Sequence, residues 1–353
     1  VADIRRHWQV FALVAALALI LVALQASRSG YLQGLAISIG LFIILVVSLN
    51  MFNGFTGVFS LGHIGFMALG AYITAILTLP LDQKRSYLPN LPGWLANVHF
   101  DFMLGSFPLG FLLATLIAGM LVALVALLIG LVLMRLSGHF VAVATLGFLV
   151  IVRVVLINAE NFTRGSRTFS NVTGYTDLWW VWAWVLAVVF VAWRIKFSPF
   201  GRKMFAQRED RWAAQAIGIS ILRARLLAFV ISAFFTAVAG ALYAHYLTSF
   251  SPNAFYFDLA FRVITMMVVG GMGSITGSIV GTGAVYLLDE ILRNIQDRTL
   301  LYGLDQLILA IIFIIVIIFR PGGLLGQREI SLSRLAGQKK GGDILESQEE
   351  NVK

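Results

Sequence analysis

Cysteine is absent from this chain, which excludes disulfides and thiolate metal sites. Charge is scarce as well. Asp, Glu, Lys and Arg make up 12% of the 353 residues, where soluble domains carry about 25%. With 59% hydrophobic residues the composition is that of an integral membrane protein, and no stretch is left for a soluble domain. Catalytic signatures are also missing. There is no G-x-x-x-x-G-K-[ST] phosphate loop, and Gly201-Arg202-Lys203 follows neither a glycine-rich turn nor a buried strand. The chain is therefore not expected to hydrolyse ATP itself. H-E-x-x-H and G-x-S-x-G do not occur, and five scattered histidines make no metal site. We expect no catalytic residue, no metal and no cofactor in this chain. The net charge of +9 does not call for nucleic acid, because most basic residues lie between apolar runs, where they set topology.

What is present is a series of apolar runs suited to a hydrocarbon core of about 30 Å. They cover 8–26, 33–52, 60–79, 107–134, 139–157, 178–195, 224–248, 258–271, 274–291 and 302–319. Arg5 and Arg6 ahead of the first run read as the flank of an uncleaved span, since further spans follow rather than a secreted domain. Run 258–271 is short and ends at Gly270-Gly271-Met272-Gly273, so a re-entrant helix is the alternative there. Ten spans put both termini on one side. Arg5, Arg6, Arg135, segment 194–225 and the tail from Arg320 hold most of the basic residues, which marks that side as cytoplasmic. The opposite loops hold only Arg28, Lys84, Arg85, Arg164, Arg167, Arg293 and Arg298. The expected organisation is a transmembrane domain over 1–320 and a cytoplasmic, largely disordered tail over 321–353, rich in Lys, Gly and Glu. Gly57-x-x-Ser60-Leu61 and Gly271-x-x-Ser274-Ile275 open runs of the same direction, with Tyr72 and Tyr286 in register, which hints at an internal repeat.

Segment 198–240 is the one long polar interruption that also reads as structured. Ser198 and Pro199 form a helix start, and Gly218 suits a helix stop. Six basic residues between 198 and 225 face two acids, Glu209 and Asp210. Phe205 and Trp212 stand one heptad apart, which predicts a shared face, with Glu209 between them. Ala213, Ala214 and Ala216 keep the next turn slim. Such a surface suits insertion into a groove on another protein better than a merely solvated anchor.

These residues resemble a known family. R-E-D-x-x-A-A-x-x-x-G over 208–218, followed by L-x-A-F-x-I-S-A, looks like the cytoplasmic coupling loop of LivM-type permeases, the membrane subunits of ATP-binding-cassette importers for branched-chain amino acids. Trp212 occupies the place of the glutamate in the general importer motif E-A-A-x-x-x-G, with Glu209 and Asp210 as substitutes. Segment 50–72 resembles the signature L-N-x-x-x-G-x-x-G-x-x-S-L-G-H-x-x-F-x-x-x-G-A-Y. Segment 145–153 matches T-L-x-F-x-E-I-V-R except that Val150 replaces the glutamate. MVVGGMGSITGSIVGT over 267–282 and Arg320-Pro321-Gly323-Leu324 complete the resemblance.

The resemblance implies an all-α polytopic fold of about ten transmembrane helices, like that of type II importer permeases, in a bacterial inner membrane. It implies a second homologous permease subunit, two cytoplasmic ATP-binding subunits that hold ATP and Mg, and an extracytoplasmic solute-binding protein, with membrane lipid around the spans. Residues 198–218 would couple to the ATPases through Phe205, Arg208, Glu209, Asp210, Trp212, Ala213, Ala214 and Gly218. Asn50, Ser60, His63, Thr145, Arg153 and Arg262 are the candidates for the translocation path. The glycines let neighbouring helices approach, and Asn50, Asn53 and Ser60 are placed to cap broken helices. An in-span charge costs about 2.5–3.5 kcal/mol, so Arg153 and Arg262 should face protein or a watery path, with snorkelling from a helix end or a structural ion pair as the alternative to lining the path. Both lie near the outer boundary, and with Val150 in place of an acid they make that half more positive, favouring a cargo that bears a carboxylate. Urea or a short amide is the alternative cargo. An autonomous ion-coupled carrier would need acids deep in a span, and Asp258, Asp289, Glu290 and Asp305 all lie near span ends.

Overall fold

The computed structural model describes residues 18–27, 29–100, 102–104, 107–136, 138–299, 303–320, 322–326 and 329. Apart from a small hairpin pairing Met103–Leu104 with Phe107–Pro108 and an isolated bridge between Phe169 and Phe250, the described structure is helical. In chain order the principal helices are α1 (Gly30–Thr56), α2 (His63–Thr78), α3 (Leu81–Tyr87), α4 (Leu109–Leu133), α5 (Phe140–Asn158) and α6 (Leu178–Lys196). Then come α7 (Pro199–Glu209), α8 (Arg211–Ala216), α9 (Ile221–Leu247), α10 (Phe257–Gly270), α11 (Ile275–Thr299) and α12 (Leu304–Phe319).

Among the described residues seven helices are long and apolar enough to cross a membrane: α1, α4, α5, α6, α9, α11, and α10 with the short turn before it. The α2–α3 pair meets the same test as one broken span, bent by 118° at Pro80, and α12 is a shorter apolar helix. Every predicted run from 33–52 onward coincides with one of these helices. Run 8–26 falls mostly outside the described residues, of which 18–26 are helical. One boundary differs from expectation. Helix α11 continues well past residue 291, carrying Arg293 and Arg298 on helix rather than loop, because Leu, Arg and Gln are good helix formers. Between Pro80 and α4 the described residues form α3, a short turn at Gly93–Ala96 and the hairpin.

Burial sorts the helices into centre and rim. The apolar windows of α1 and α9 are 78% and 67% buried, those of α4 and α6 only 28%. Helix α9 packs chiefly on α2, α4 and α1, while α1 also receives α6, α11 and α10. Since lipid tails are as apolar as leucine, such helices associate by close packing rather than by hydrophobic expulsion, and small residues set the spacing. A Cβ on Gly70 would lie 2.2 Å from the carbonyl oxygen of Ala237, and one on Gly240 would lie 2.0 Å from that of Met67. The α2–α9 crossing therefore has backbone against backbone.

This crossing yields a stability prediction. Gly240→Val should lower the thermal midpoint of the detergent-solubilised protein strongly, overpacking costing typically about 1–3 kcal/mol and more where backbone must move. Gly147→Ala, at a position where a Cβ meets nothing within 4 Å, should leave the midpoint unchanged. A thermal melt followed by tryptophan fluorescence compares the two.

Candidate functional site

One end of the bundle carries two glycine turns that both lean on α1. At the first, α1 stops at Gly57, whose φ of 69° makes a left-handed cap. Asn53 Oδ1 then accepts the amide of Ser60 at 3.1 Å, and Thr145 Oγ1 of α5 accepts that of Leu61 at 3.1 Å. Ser60 Oγ lies 2.9 Å from His63 Nδ1, and His63 Nε2 lies 2.8 Å from Ser232 Oγ on α9. At the second turn, α10 ends and the chain reverses through Gly271 and Gly273, with φ of 119° and 92°. Asn50 Oδ1 accepts the amide of Gly273 at 2.8 Å, while its Nδ2 donates to the Ser274 carbonyl at 2.9 Å and to Ser278 Oγ at 2.7 Å.

The polar candidates of α1, α2 and α5 thus belong to two buried hydrogen-bonded clusters, Asn50 at the second turn and Ser60, His63 and Thr145 at the first. Asn50, Ser60, His63 and Thr145 are each at most 3% exposed. Beside Ser60 and His63, between α1, α2, α9 and α10, a pocket lined by Leu45, Leu49, Thr236 and Val263 has room for little more than one water.

Segment 198–218 is held against the same end. Ser198 caps α7 by accepting the amide of Gly201 at 3.1 Å, with Pro199 in the first turn, as the sequence predicts. Arg208 Nη1 donates to the Gly54 carbonyl at 2.5 Å and to that of Met272 at 3.5 Å, joining α7 to both α1 and the second turn. Lys196, the last residue of α6, donates to the Gly273 carbonyl at 2.6 Å and pairs with Glu329 at 2.5 Å. Glu329 also accepts the amides of Ile275 at 2.8 Å and Thr276 at 2.9 Å. Burial works against this carboxylate, but Lys196 and the first-turn amides outweigh it and hold its pKa below the ordinary glutamate value.

The shared face of Phe205 and Trp212 is corrected by the structure. Asp210 adopts extended backbone, φ −145° and ψ 113°, and its carboxylate accepts the amides of Trp212 at 2.8 Å and Ala213 at 3.0 Å. That cap breaks the segment into α7 and α8. Phe205 therefore turns inward onto Phe55, ring centroids 5.2 Å apart. Trp212 points outward and is 78% exposed, as is Ile217 at 75%. Glu209, Asp210, Ala213 and Gly218 share the exposed side, whereas Ala214 is buried and Arg208 half-buried.

The two in-span arginines lie elsewhere. Arg153 donates to Asn253 Oδ1 at 2.8 and 3.2 Å and stands 4.2 Å over the Tyr256 ring. Arg262 bridges Asp289 of α11 at 2.7 Å and Asp305 of α12 at 3.1 Å. Asp258, one turn before it, stays exposed. The positive charge expected of Arg262 is thus outnumbered by its own partners. Sequence reading passed over Lys196 and Glu329 and took Asp289 and Asp305 only as acids near span ends, not as partners of Arg262; a lysine ending an apolar run was the available signal for Lys196.

Removing the guanidinium would leave two neighbouring carboxylates of which Asp289 is almost wholly buried. Arg262→Gln should lower stability by up to about 3–5 kcal/mol, the range for a fully buried pair, reduced here because the arginine side chain is 26% exposed. Adding Asp289→Asn should restore part of the loss, read as the coupling energy of a double-mutant cycle on thermal midpoints.

Comparison with known proteins agrees with this architecture. Residues 31–318 match the family described as branched-chain amino acid transport system / permease component. The high-affinity branched-chain amino acid transport system permease protein LivM of Salmonella typhimurium is 30% identical over 335 residues, covering 85% of this chain and 71% of that protein. A probable branched-chain amino acid transport permease protein LivM of Methanocaldococcus jannaschii is 24% identical over 82% of this chain and 92% of its own length. The LivH permease of Salmonella typhimurium is 30% identical over half of this chain and 55% of its own. With most of its length matched to that family, and with a LivM relative at this identity, the chain belongs to the permease components of branched-chain amino acid transport systems.

Proposed function

We propose that this chain is one of two related permease subunits of an ATP-driven importer in a bacterial inner membrane, and that its cargo is a branched-chain or related amino acid. Two cytoplasmic subunits would bind ATP and Mg, and an extracytoplasmic binding protein would deliver the solute. Both termini and the α7–α8 element would lie in the cytoplasm, in keeping with the basic residues at 194–225.

The observation that carries this reading is the two-sided character of α7–α8. Its inner side is tied by Lys196 and Arg208 to the turns at the end of α1 and between α10 and α11. Its outer side offers Trp212 and Ile217 almost fully exposed. An exposed tryptophan and an exposed isoleucine on one short element offer anchors for a pocket on another protein. A push on that anchor reaches the spans through the two cationic ties. Alternating access then follows if the helices flanking Asn50, Ser60, His63 and Thr145 rock against one another. Arg153 and Arg262 stand at the far end of that route. The cargo assignment rests on the substrate named for the LivM and LivH relatives.

The test is leucine uptake into proteoliposomes holding the assembled transporter, ATP and binding protein. Trp212→Ala should weaken ATPase docking by about 2 kcal/mol, and Ala213→Glu should abolish uptake while the subunit still inserts. Normal leucine uptake by Ala213→Glu would remove the coupling role. Topology is checked separately. Because native cysteines are absent, Ser86→Cys should react with an impermeant maleimide from outside the cell, and Ser347→Cys only after the inner face is opened.

A further inference from the structure

Behind α12 the chain returns to the second glycine turn and runs alongside it. The amide of Leu324 donates to the Val269 carbonyl at 2.8 Å, and that of Leu325 to the Gly270 carbonyl at 3.3 Å. Glycines make this approach possible. A Cβ on Gly323 would lie 2.6 Å from both Gly271 Cα and the Val268 carbonyl oxygen, and one on Gly271 would lie 2.6 Å from the Gly326 carbonyl oxygen. The strap so formed delivers Glu329 to the first turn of α11. There it takes the amides of Ile275 and Thr276 and, at 2.7 Å, the hydroxyl of Thr276.

Two features set this apart from ordinary helix capping. Helix α11 already has a capping side chain, since Ser274 Oγ accepts the amide of Gly277 at 3.0 Å. And Glu329 is shared: the oxygen that accepts the Ile275 amide also binds Lys196, which reaches the Gly273 carbonyl as well. Lys196 stands two residues before Ser198, the cap of α7. The α7 segment is consequently pinned to one turn at both ends, by Arg208 near its finish and by Lys196 just before its start. Only the second pin passes through the strap.

We propose that Glu329 is a positioning residue of the transport cycle: by binding Lys196 and the first turn of α11 together, it makes displacement of α7–α8 move α10 and α11 instead of bending the α6–α7 junction. This rests on the reading of α7–α8 as the coupling element. Without the carboxylate, α7 would keep its Arg208 tie and the single Lys196–Gly273 hydrogen bond, which by itself leaves the α6–α7 junction free to pivot about Ser198. Helix α11 would then lag behind the motion delivered to it. The consequence is slippage, with ATP hydrolysed and little solute moved, rather than loss of the fold.

The experiment measures leucine transported per ATP hydrolysed by the assembled transporter in proteoliposomes. Glu329→Gln and Lys196→Met should each lower that ratio at least about fivefold, the lower end of ordinary coupling between sites, while stimulated ATP hydrolysis continues. Lys196→Met leaves the α11 cap untouched, so it decides the matter if Glu329→Gln fails to insert. In the cysteine-free background, Lys196→Cys with Glu329→Cys should be uncoupled until a short bis-maleimide adds to both thiols and so bridges the pair, and bridging should restore the ratio. A wild-type ratio in Lys196→Met, or a bridged pair that stays uncoupled, overturns the proposal. Ala213→Glu serves as the reference. If it transports normally, the coupling reading itself falls; if it is dead while Lys196→Met is unaffected, only the strap's role falls.

Discussion

A chain inside a bilayer cannot leave helical geometry unless the protein itself satisfies the freed backbone groups. This protein does so twice at one end, and both times the partners come from the last two turns of α1. Asn53 serves the turn before α2, and Asn50 serves the turn before α11. The arrangement demands that Gly54 have no side chain, because a Cβ there would lie 1.8 Å from Asn50 Oδ1 and 2.6 Å from the Gly273 amide nitrogen. The central position of α1 follows. It is buried because two helix reversals need its amides, and the close α2–α9 and α10–α11 crossings follow from where those reversals send the chain.

The same turns explain why the polar interruption at 198–218 sits where it does. A reversal between α10 and α11 exposes carbonyls at Met272 and Gly273 that point out of the bundle. Cationic side chains are the natural complement, and Lys196 and Arg208 supply them. Charge here does more than set topology. Lys196 and Arg208 turn inward, while the outward side of α7–α8 exposes Trp212, Ile217, Glu209 and Asp210 together with Arg202 and Lys203. Inner attachment and the exposed face thus lie on opposite sides of one short element.

Much of this was legible in the residues. Ser198, Pro199 and Gly218 fall where the helix starts and stops, and the apolar runs from 33–52 onward locate the helices. The glycines and polar residues of 50–72 mark helix contact and capping, and the structure gives each a partner: Asn50 with Gly273, Ser60 with His63, Gly70 with Ala237. What sequence did not show were long-range pairings. Periodicity places Phe205 and Trp212 on one face only if the helix is unbroken. The break at Asp210 depends on an acid that reads equally well as a surface charge or as a cap. Glu329 lies in a segment whose composition suggests disorder, and only the fold brings it to Lys196, separated by more than a hundred residues of chain. Repeats are the middle case. Gly57 and Gly271 do both lead through a serine into a helix, yet α10 and α11 pack tightly together whereas contact between α1 and α2 is sparse.

Charge around Arg153 and Arg262 was the least legible of all, for a physical reason. An isolated arginine in a span suggests a positive field, since the cost of burying it demands a purpose. Two acids at the ends of other spans suggest nothing, because interfacial carboxylates are common. Together they make a cluster that is net negative, with Asp289 almost fully buried and Arg262 committed to two partners. A carboxylate-bearing solute would have to displace Asp289 or Asp305 to use that guanidinium. The favourable Coulomb energy of such an exchange is largely cancelled, because one anion merely replaces another. Arg153 is different: its partners are the neutral Asn253 and the ring of Tyr256, so among the described residues no contacting acid neutralises its positive charge. If this end of the bundle attracts an anionic group, the attraction originates at α5 rather than at α10.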